Sequence, residues 1–229
     1  MPSAARAAKR RRREAGKAAA GNAGVGNGLP VPRCVKMNNT IRNAFYRVCQ
    51  HFEEESRLLR YLLVSLLVIV LDQWSKWMIK TNMTLYESIP VIGEFFQIYS
   101  HRNKGAAFGI LQNQRAFFLA VTVIVVAGAV WFLRKSAKEK QGLLSVALGL
   151  LIGGAVGNFI DRLLTGEVVD FFKFHFRFPF FGAQVDYVFP IFNVADIAIT
   201  VSVALIILDS LIKWSQEKKE RVGHDAGTT

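Results

Sequence analysis

Cysteine is nearly absent. Cys34 and Cys49 are the only two in 229 residues, and both lie in the first quarter of the chain. They offer no disulfide framework, no metal-ligand spacing and no nucleophile for chemistry placed elsewhere. Histidine is scarce too, with four residues, which argues against a zinc centre. Charge is missing from two long apolar runs, 116–133 and 142–160. No apolar run follows the basic block Lys9-Arg10-Arg11-Arg12-Arg13, so the start of the chain does not read as a secretory signal peptide.

Positive charge is plentiful. Lys and Arg number 29 against 17 Asp and Glu, for a net charge of +12, yet 52% of the residues are hydrophobic. One uniform globule cannot hold both properties, so the charge must be segregated. Residues 1–60 carry 13 of the 29 cations. Residues 1 to about 35 read as disordered, because Ala, Gly and the basic block leave nothing to bury. Such a cluster suits nucleic acid or an import receptor, but also a solvated tail drawn to anionic lipid. The lipid reading is preferred, with no nucleic-acid partner expected. Residues 36–57 read as a short cytoplasmic helix.

Four apolar segments follow, at about 58–79, 116–133, 142–160 and 188–212. Each approaches the ~20 residues a helix needs to cross ~30 Å of hydrocarbon. Four in so short a stretch argue against buried helices of a soluble protein. The second and third are joined by the basic connector RKSAKEKQ, and the tail after the fourth holds Lys213, Lys218, Lys219 and Arg221. With the basic start of the chain, these place both termini in the cytoplasm. The longer connectors, about 80–115 and 161–187, then face outward. Composition divides the chain into a basic extension (1–57), a four-helix transmembrane domain (58–214) and a cytoplasmic tail (215–229).

The outer connectors carry strand signals. Residues 94–102 are rich in aromatic and β-branched side chains. Residues 172–180 alternate strictly, with Phe172, Phe174, Phe176, Phe178 and Phe180 on one face and Lys173, His175 and Arg177 on the other. We expect a small outer sheet lying on the helices, with its cations toward water and lipid phosphates. His175 reads as a surface residue.

An ionisable residue inside a membrane segment costs ~2.5–3.5 kcal/mol even on a lenient scale, and is a functional candidate for that reason. Asp72, Lys76, Asp161 and Arg162 lie near segment ends. Asp72 and Lys76, spaced i, i+4, suit a structural ion pair as well as a functional role. Asp209 reads as interfacial. Asp196 sits about eight residues into the fourth segment, with Asn193 one turn earlier. Asp170 lies in the connector, in GEVVDFF. If the outer ends of the third and fourth helices are neighbours, Asp170 and Asp196 face each other. Two carboxylates sharing a site share a proton, which supplies a general base and a general acid together. Gly149, Gly153 and Gly157 form a small-residue stripe suited to close helix packing.

Five motifs now stand in order: Asp72-Gln73-Trp74-Ser75-Lys76, Asn103-Lys104-Gly105-Ala106-Ala107-Phe108, Gly157-Asn158-Phe159-Ile160-Asp161-Arg162, Gly166 to Phe171, and Phe192-Asn193-Val194-Ala195-Asp196. In this order the chain resembles bacterial lipoprotein signal peptidase, the type II signal peptidase of the aspartyl class. The resemblance covers about 58–212. It implies an integral membrane, mainly α protein with four helices, a small extracytoplasmic β-sheet and no cofactor or metal. It also implies cleavage of diacylglyceryl-modified prolipoproteins before the lipidated cysteine, at the outer leaflet of the bacterial cytoplasmic membrane. Asp170 and Asp196 are then the catalytic pair. Asn103, Gly105, Asn158, Arg162, Asn193 and Ala195 line or order the site, and Asp72 and Lys76 support it. Asn103 to Phe108 begins a segment covering the cleft.

The 1–57 extension lies outside the resemblance, and the Asp170–Asn193 connector is longer than the family pattern. Asp186 within it reads as a loop residue. Expected partners are diacylated prolipoproteins and membrane lipids, with the chain acting as a monomer. Two other readings stay open. One is a small proton- or ion-coupled transporter using the same carboxylates as a relay, although no inverted repeat is evident. The other is a metal site built from clustered Asp and Asn oxygens.

Overall fold

The computed structural model describes residues 39–105, 113–181 and 183–226. The expected disordered stretch 1–35 lies outside these, as do Ala106, Ala107 and Phe108 of the expected cleft cover. The chain divides into two units, Met1–Phe45 and Tyr46–Thr229. The first lies almost wholly outside the described residues, and the second holds the strands and nearly all of the helical structure.

The elements in chain order are α1 (Asn39–Asn82), β1 (Ser88–Ile92), β2 (Phe96–Asn103), α2 (Arg115–Lys138), α3 (Gly142–Leu164), β3 (Val168–Phe180), β4 (Ala183–Val188) and α4 (Val194–Ala226). All four helices contain a stretch long and apolar enough to cross a membrane. No Gly or Pro interrupts the 44 residues of α1, so the short helix expected at 36–57 and the apolar segment after it form one continuous helix. The composition changes at their junction while the helix continues. α4 runs on from its apolar part into the polar residues of the tail.

α3 is the central helix. Over half of its most apolar stretch is buried, against 11–17% for the other three. Its glycines explain this. A Cβ at Gly149 would stand 2.8 Å from the Tyr61 carbonyl oxygen, and one at Gly153 would stand 2.7 Å from Val68 Cβ. On another side, a Cβ at Gly154 would stand 2.5 Å from the Ala195 carbonyl oxygen. The missing side chains let α1 and α4 approach α3 backbone to backbone. α2 joins through Ala129 and Leu133, which pack on Leu144, Leu148 and Ile152. Outward, Leu66, Trp74, Ile124, Trp131 and Leu211 stand exposed, an apolar perimeter suited to lipid rather than water.

The strands form one antiparallel sheet in the order β1-β2-β3-β4. Its Phe face is packed: Phe174 stacks on Phe96 at 4.7 Å and on Phe192 at 5.8 Å. The opposite face differs from expectation. His175 and Arg177 do not stand alone there, because register sets Arg177 opposite Asp186. Asp186 Oδ1 lies 2.6 Å from His175 Nε2, and Arg177 donates to Asp186 at 3.3 Å and to Glu94 at 2.6 Å. Asp186 is therefore a strand residue that ties the hairpin. The His175 side chain is only 14% exposed. Asp209 pairs with Lys213 at 2.6 Å.

Candidate active site

Asp170 lies within β3, where the strand crosses the end of β2, and its side chain is buried. Gly166 delivers it there. At φ 80°, Gly166 turns the chain out of α3 in a left-handed conformation that a side chain would strain. Asn103, the last residue of β2, donates its amide to Asp170 Oδ2 at 3.0 Å. Asn193 donates to Asp170 Oδ1 at 2.7 Å.

Asp196 is not eight residues into a helix. α4 begins at Val194, and the preceding residues are extended: Phe192 forms a bridge with Phe172 of β3. Asn193 is the cap of α4. Its side-chain oxygen accepts from the Asp196 N–H at 3.1 Å, while Asp196 Oδ2 accepts from the Asn193 N–H at 3.1 Å. This reciprocal pair is a capping box with Asn and Asp in place of Ser and Glu. It puts a carboxylate in the first turn, where the helix dipole favours it. The apolar residues before Asn193 imitate a longer helix, and the capping pair ends it.

Asn158 of α3 donates its amide to Asp196 Oδ1 at 2.8 Å. Its oxygen accepts from Lys76 at 2.9 Å and from the Asn193 amide at 3.1 Å. Lys76 is 1% exposed, and it bridges Asp72 at 2.8 Å and Asp161 at 3.0 Å. Asp72 also reaches across to α4, accepting from the Ala195 N–H at 2.9 Å. This close approach depends on Gly157, where a Cβ would stand 2.5 Å from Asp72 Oδ2. Asp161 accepts from the Val169 N–H at 3.3 Å, which anchors the start of β3. The Asp72–Lys76 pair thus serves the architecture, joining α1, α3 and α4 beneath the two carboxylates.

Gly105 donates its N–H to Asn103 Oδ1 at 2.9 Å and accepts from Arg162 at 3.2 Å. The Arg162 guanidinium also lies 4.7 Å over the Phe118 ring. All ten residues expected at the site are therefore adjacent. Gln73 was not expected. It donates to Asp72 at 3.1 Å and to the Gly157 carbonyl at 3.1 Å, and nothing in its helical position signals this. Phe189, Pro190 and Ile191 were also missed, and they line one wall of the cleft.

The cleft has a volume of about 300 Å³, and Asp170, Asp196, Asn103 and Arg162 all face it. Each of the four carboxylate oxygens accepts one N–H, and no protein acceptor meets them among these bonds. Burial, and then the neighbouring charge of Asp196, push the Asp170 carboxyl up to about 7, against the pull of its amide hydrogen bonds. Two carboxylates that share a site can share a proton.

Residues 64–212 match the family model for signal peptidase (SPase) II. A lipoprotein signal peptidase of Shouchella clausii is 49% identical over 157 residues, covering 69% of this chain and 96% of that protein. One from Brevibacillus brevis is 50% identical over 158 residues, covering 69% and 99%. Among solved structures, a bacterial membrane enzyme determined by the in meso method at 2.3 Å resolution superposes with a TM-score of 0.61 at 44% identity. That match covers 70% of this chain and 92% of the other. A second, at 1.9 Å resolution, gives a TM-score of 0.56 at 44% identity, covering 66% and 92%. Sequence match and fold agree over the part of the chain that holds the four helices, Asp170 and Asp196, and the chain belongs to the signal peptidase II family of membrane aspartic peptidases.

Proposed function

We propose that this protein cleaves diacylglyceryl-modified prolipoproteins just before the lipidated cysteine, with Asp170 and Asp196 as the catalytic pair. Removal of signal peptides from lipoproteins follows from the family. The finer reading is carried by one observation: two carboxylates from different elements line a single cleft. Asp196, exposed to the cleft at the start of α4, takes a proton from water as that water attacks the scissile carbonyl carbon. Asp170 gives its proton to the carbonyl oxygen. As the tetrahedral intermediate collapses, Asp196 returns the proton to the leaving amine and Asp170 recovers its own. The apolar wall at Phe189 and Ile191 suits a lipid-bearing substrate.

The peptidase core is assigned to 58–214, between the basic extension 1–57 and the tail 215–229. The basic residues Lys138 and Lys140 in the α2–α3 turn, with Lys213 and Lys218 on α4, support a cytoplasmic side for that end of the bundle and for both termini. The acid pair then works at the outer leaflet of the bacterial cytoplasmic membrane. We take the protein to act as a monomer.

The test is cleavage of a diacylated prolipoprotein peptide by purified protein in detergent. Asp170→Asn and Asp196→Asn should each abolish product while melting as cooperatively as wild type, and the unlipidated peptide should remain uncut. Substantial activity in either Asn variant removes the assignment.

A further inference from the structure

We infer that Lys76 is a positioning residue for the reaction: its ammonium fixes the Asn158 amide, and so makes that amide a donor to Asp196. The inference rests on Asp170 and Asp196 being the reacting pair. An ammonium group has three N–H donors and no acceptor. At Lys76 they meet Asp72 Oδ2 at 2.8 Å, Asp161 Oδ2 at 3.0 Å and Asn158 Oδ1 at 2.9 Å. The side chain is 1% exposed, so water is poorly placed to substitute for any of the three.

The atom of Asn158 that faces Lys76 must therefore be its oxygen. The same oxygen accepts from the Asn193 amide at 3.1 Å. That second amide is itself fixed, because its own oxygen accepts from the Asp196 N–H. Turning the Asn158 amide by half a revolution would set its NH2 against two donors and its carbonyl against the Asp196 carboxylate. Three favourable contacts would become three repulsive ones. With that alternative closed, Asn158 Nδ2 must point at Asp196 Oδ1, at 2.8 Å.

Neutralising buried acid does not by itself account for Lys76. Asp161 has a second cation in Lys80, at 3.4 Å, and Asp72 accepts two further hydrogen bonds, from Ala195 N–H and Gln73. Among these contacts, the ammonium alone joins the buried acids to the amide that serves Asp196.

The test separates orientation from charge. Replacing Lys76 alone strands two buried carboxylates and invites unfolding, so the informative variant is Lys76→Met with Asp161→Asn. It keeps the net charge of the Lys76–Asp72–Asp161 cluster, since one cation and one anion are removed together. Cleavage of the diacylated peptide should show kcat reduced on the order of 10²-fold relative to the charge-matched wild type, with KM changed by less than about threefold. Adding Asn158→Ala should then cost almost nothing more, because Lys76 acts through Asn158. Multiplying losses, or an undiminished kcat in the charge-matched variant, would overturn the inference.

Asn158→Asp keeps the question answerable if the charge-matched variant does not fold. It still offers Lys76 an acceptor but sets a carboxyl oxygen, not an N–H, against Asp196, so it should lose kcat at least to the extent of Asn158→Ala. Wild-type turnover in Asn158→Asp would also overturn the inference. Asp170→Asn and Asp196→Asn run beside these as controls. If they still cleave, the reading of the pair has failed. If they are inactive and the Lys76 effects are additive, only the role of Lys76 has failed.

Discussion

Asn193 and Asp196 cap each other: each backbone N–H is bound by the other's side-chain oxygen, both at 3.1 Å. The same Asn193 side chain donates to Asp170 at 2.7 Å. Helix initiation and the spacing of the acid pair therefore depend on one residue. Asn193→Ala should cost about 1 kcal/mol of helix capping, and should lower kcat far more than that loss of stability accounts for. Asn193→Ser, which retains a capping oxygen but has no amide for Asp170, should recover the melting temperature without recovering turnover. Equal recovery of both would show that the cap alone matters.

The carboxyl of Asp170 gives the pH dependence a direction. Its value of about 7 in the folded protein lies above the ~3.9 of an unfolded aspartate. The folded state thus keeps a proton that the unfolded chain releases. This group's contribution makes folding progressively less favourable from about pH 4 to about pH 7, and is constant above that. The melting temperature of the wild type should fall across this window more steeply than that of Asp170→Asn. Cleavage should decline on the alkaline side as Asp170 loses the proton it supplies. A kcat profile flat from pH 6 to 9 (on the order of three units) would contradict the assignment of Asp170 as the acid.

Glycines in two helices should answer to substitution in opposite ways. Gly153→Ala drives a Cβ to 2.7 Å from Val68 Cβ, whereas Gly128→Ala meets nothing within 4 Å. The first should separate α1 from α3 and cost about 1–3 kcal/mol. The second should be neutral or stabilising by up to about 1 kcal/mol, as expected for Ala over Gly in a helix interior. Thermal melts in one detergent compare them directly.

The hairpin tie should be separable from turnover of a short substrate. Asp186→Asn weakens the contacts to His175 and Arg177, and amide hydrogen exchange in β4 should accelerate. Cleavage of a minimal diacylated peptide should continue at the wild-type rate, because Asp186 meets neither Asp170 nor Asp196. Loss of that activity would make the hairpin part of the site.

Much of this was legible from local pattern. The helices follow from apolar runs of membrane length, and β3 follows from the alternation of Phe with cations. The two carboxylates that line the cleft both lie within the ordered motifs. What escaped was set by contacts distant in the chain. Asp186 reads as a loop residue until the hairpin register puts it opposite Arg177. Asp196 reads as deep in a helix because Val188, Phe189 and Ile191 are apolar, although Pro190 and the Asn193–Asp196 spacing hold the capping signal. Gln73 has no local signal, since its partners come from where α3 crosses α1.

Phe192 pairs with Phe172 where the sheet meets α4, through main-chain bonds of 2.8 Å and 3.2 Å. Asp170 lies two residues before one of these phenylalanines and Asp196 four residues after the other. The separation of the acids is therefore set at a seam between sheet and helix, outside the carboxylates themselves. Loosening the Phe172–Phe192 pairing would let the two carboxylates drift apart without any change to the groups that bind them. Because Phe192 also lines the cleft, a change at this seam would alter the wall of the site together with the separation of the two carboxylates.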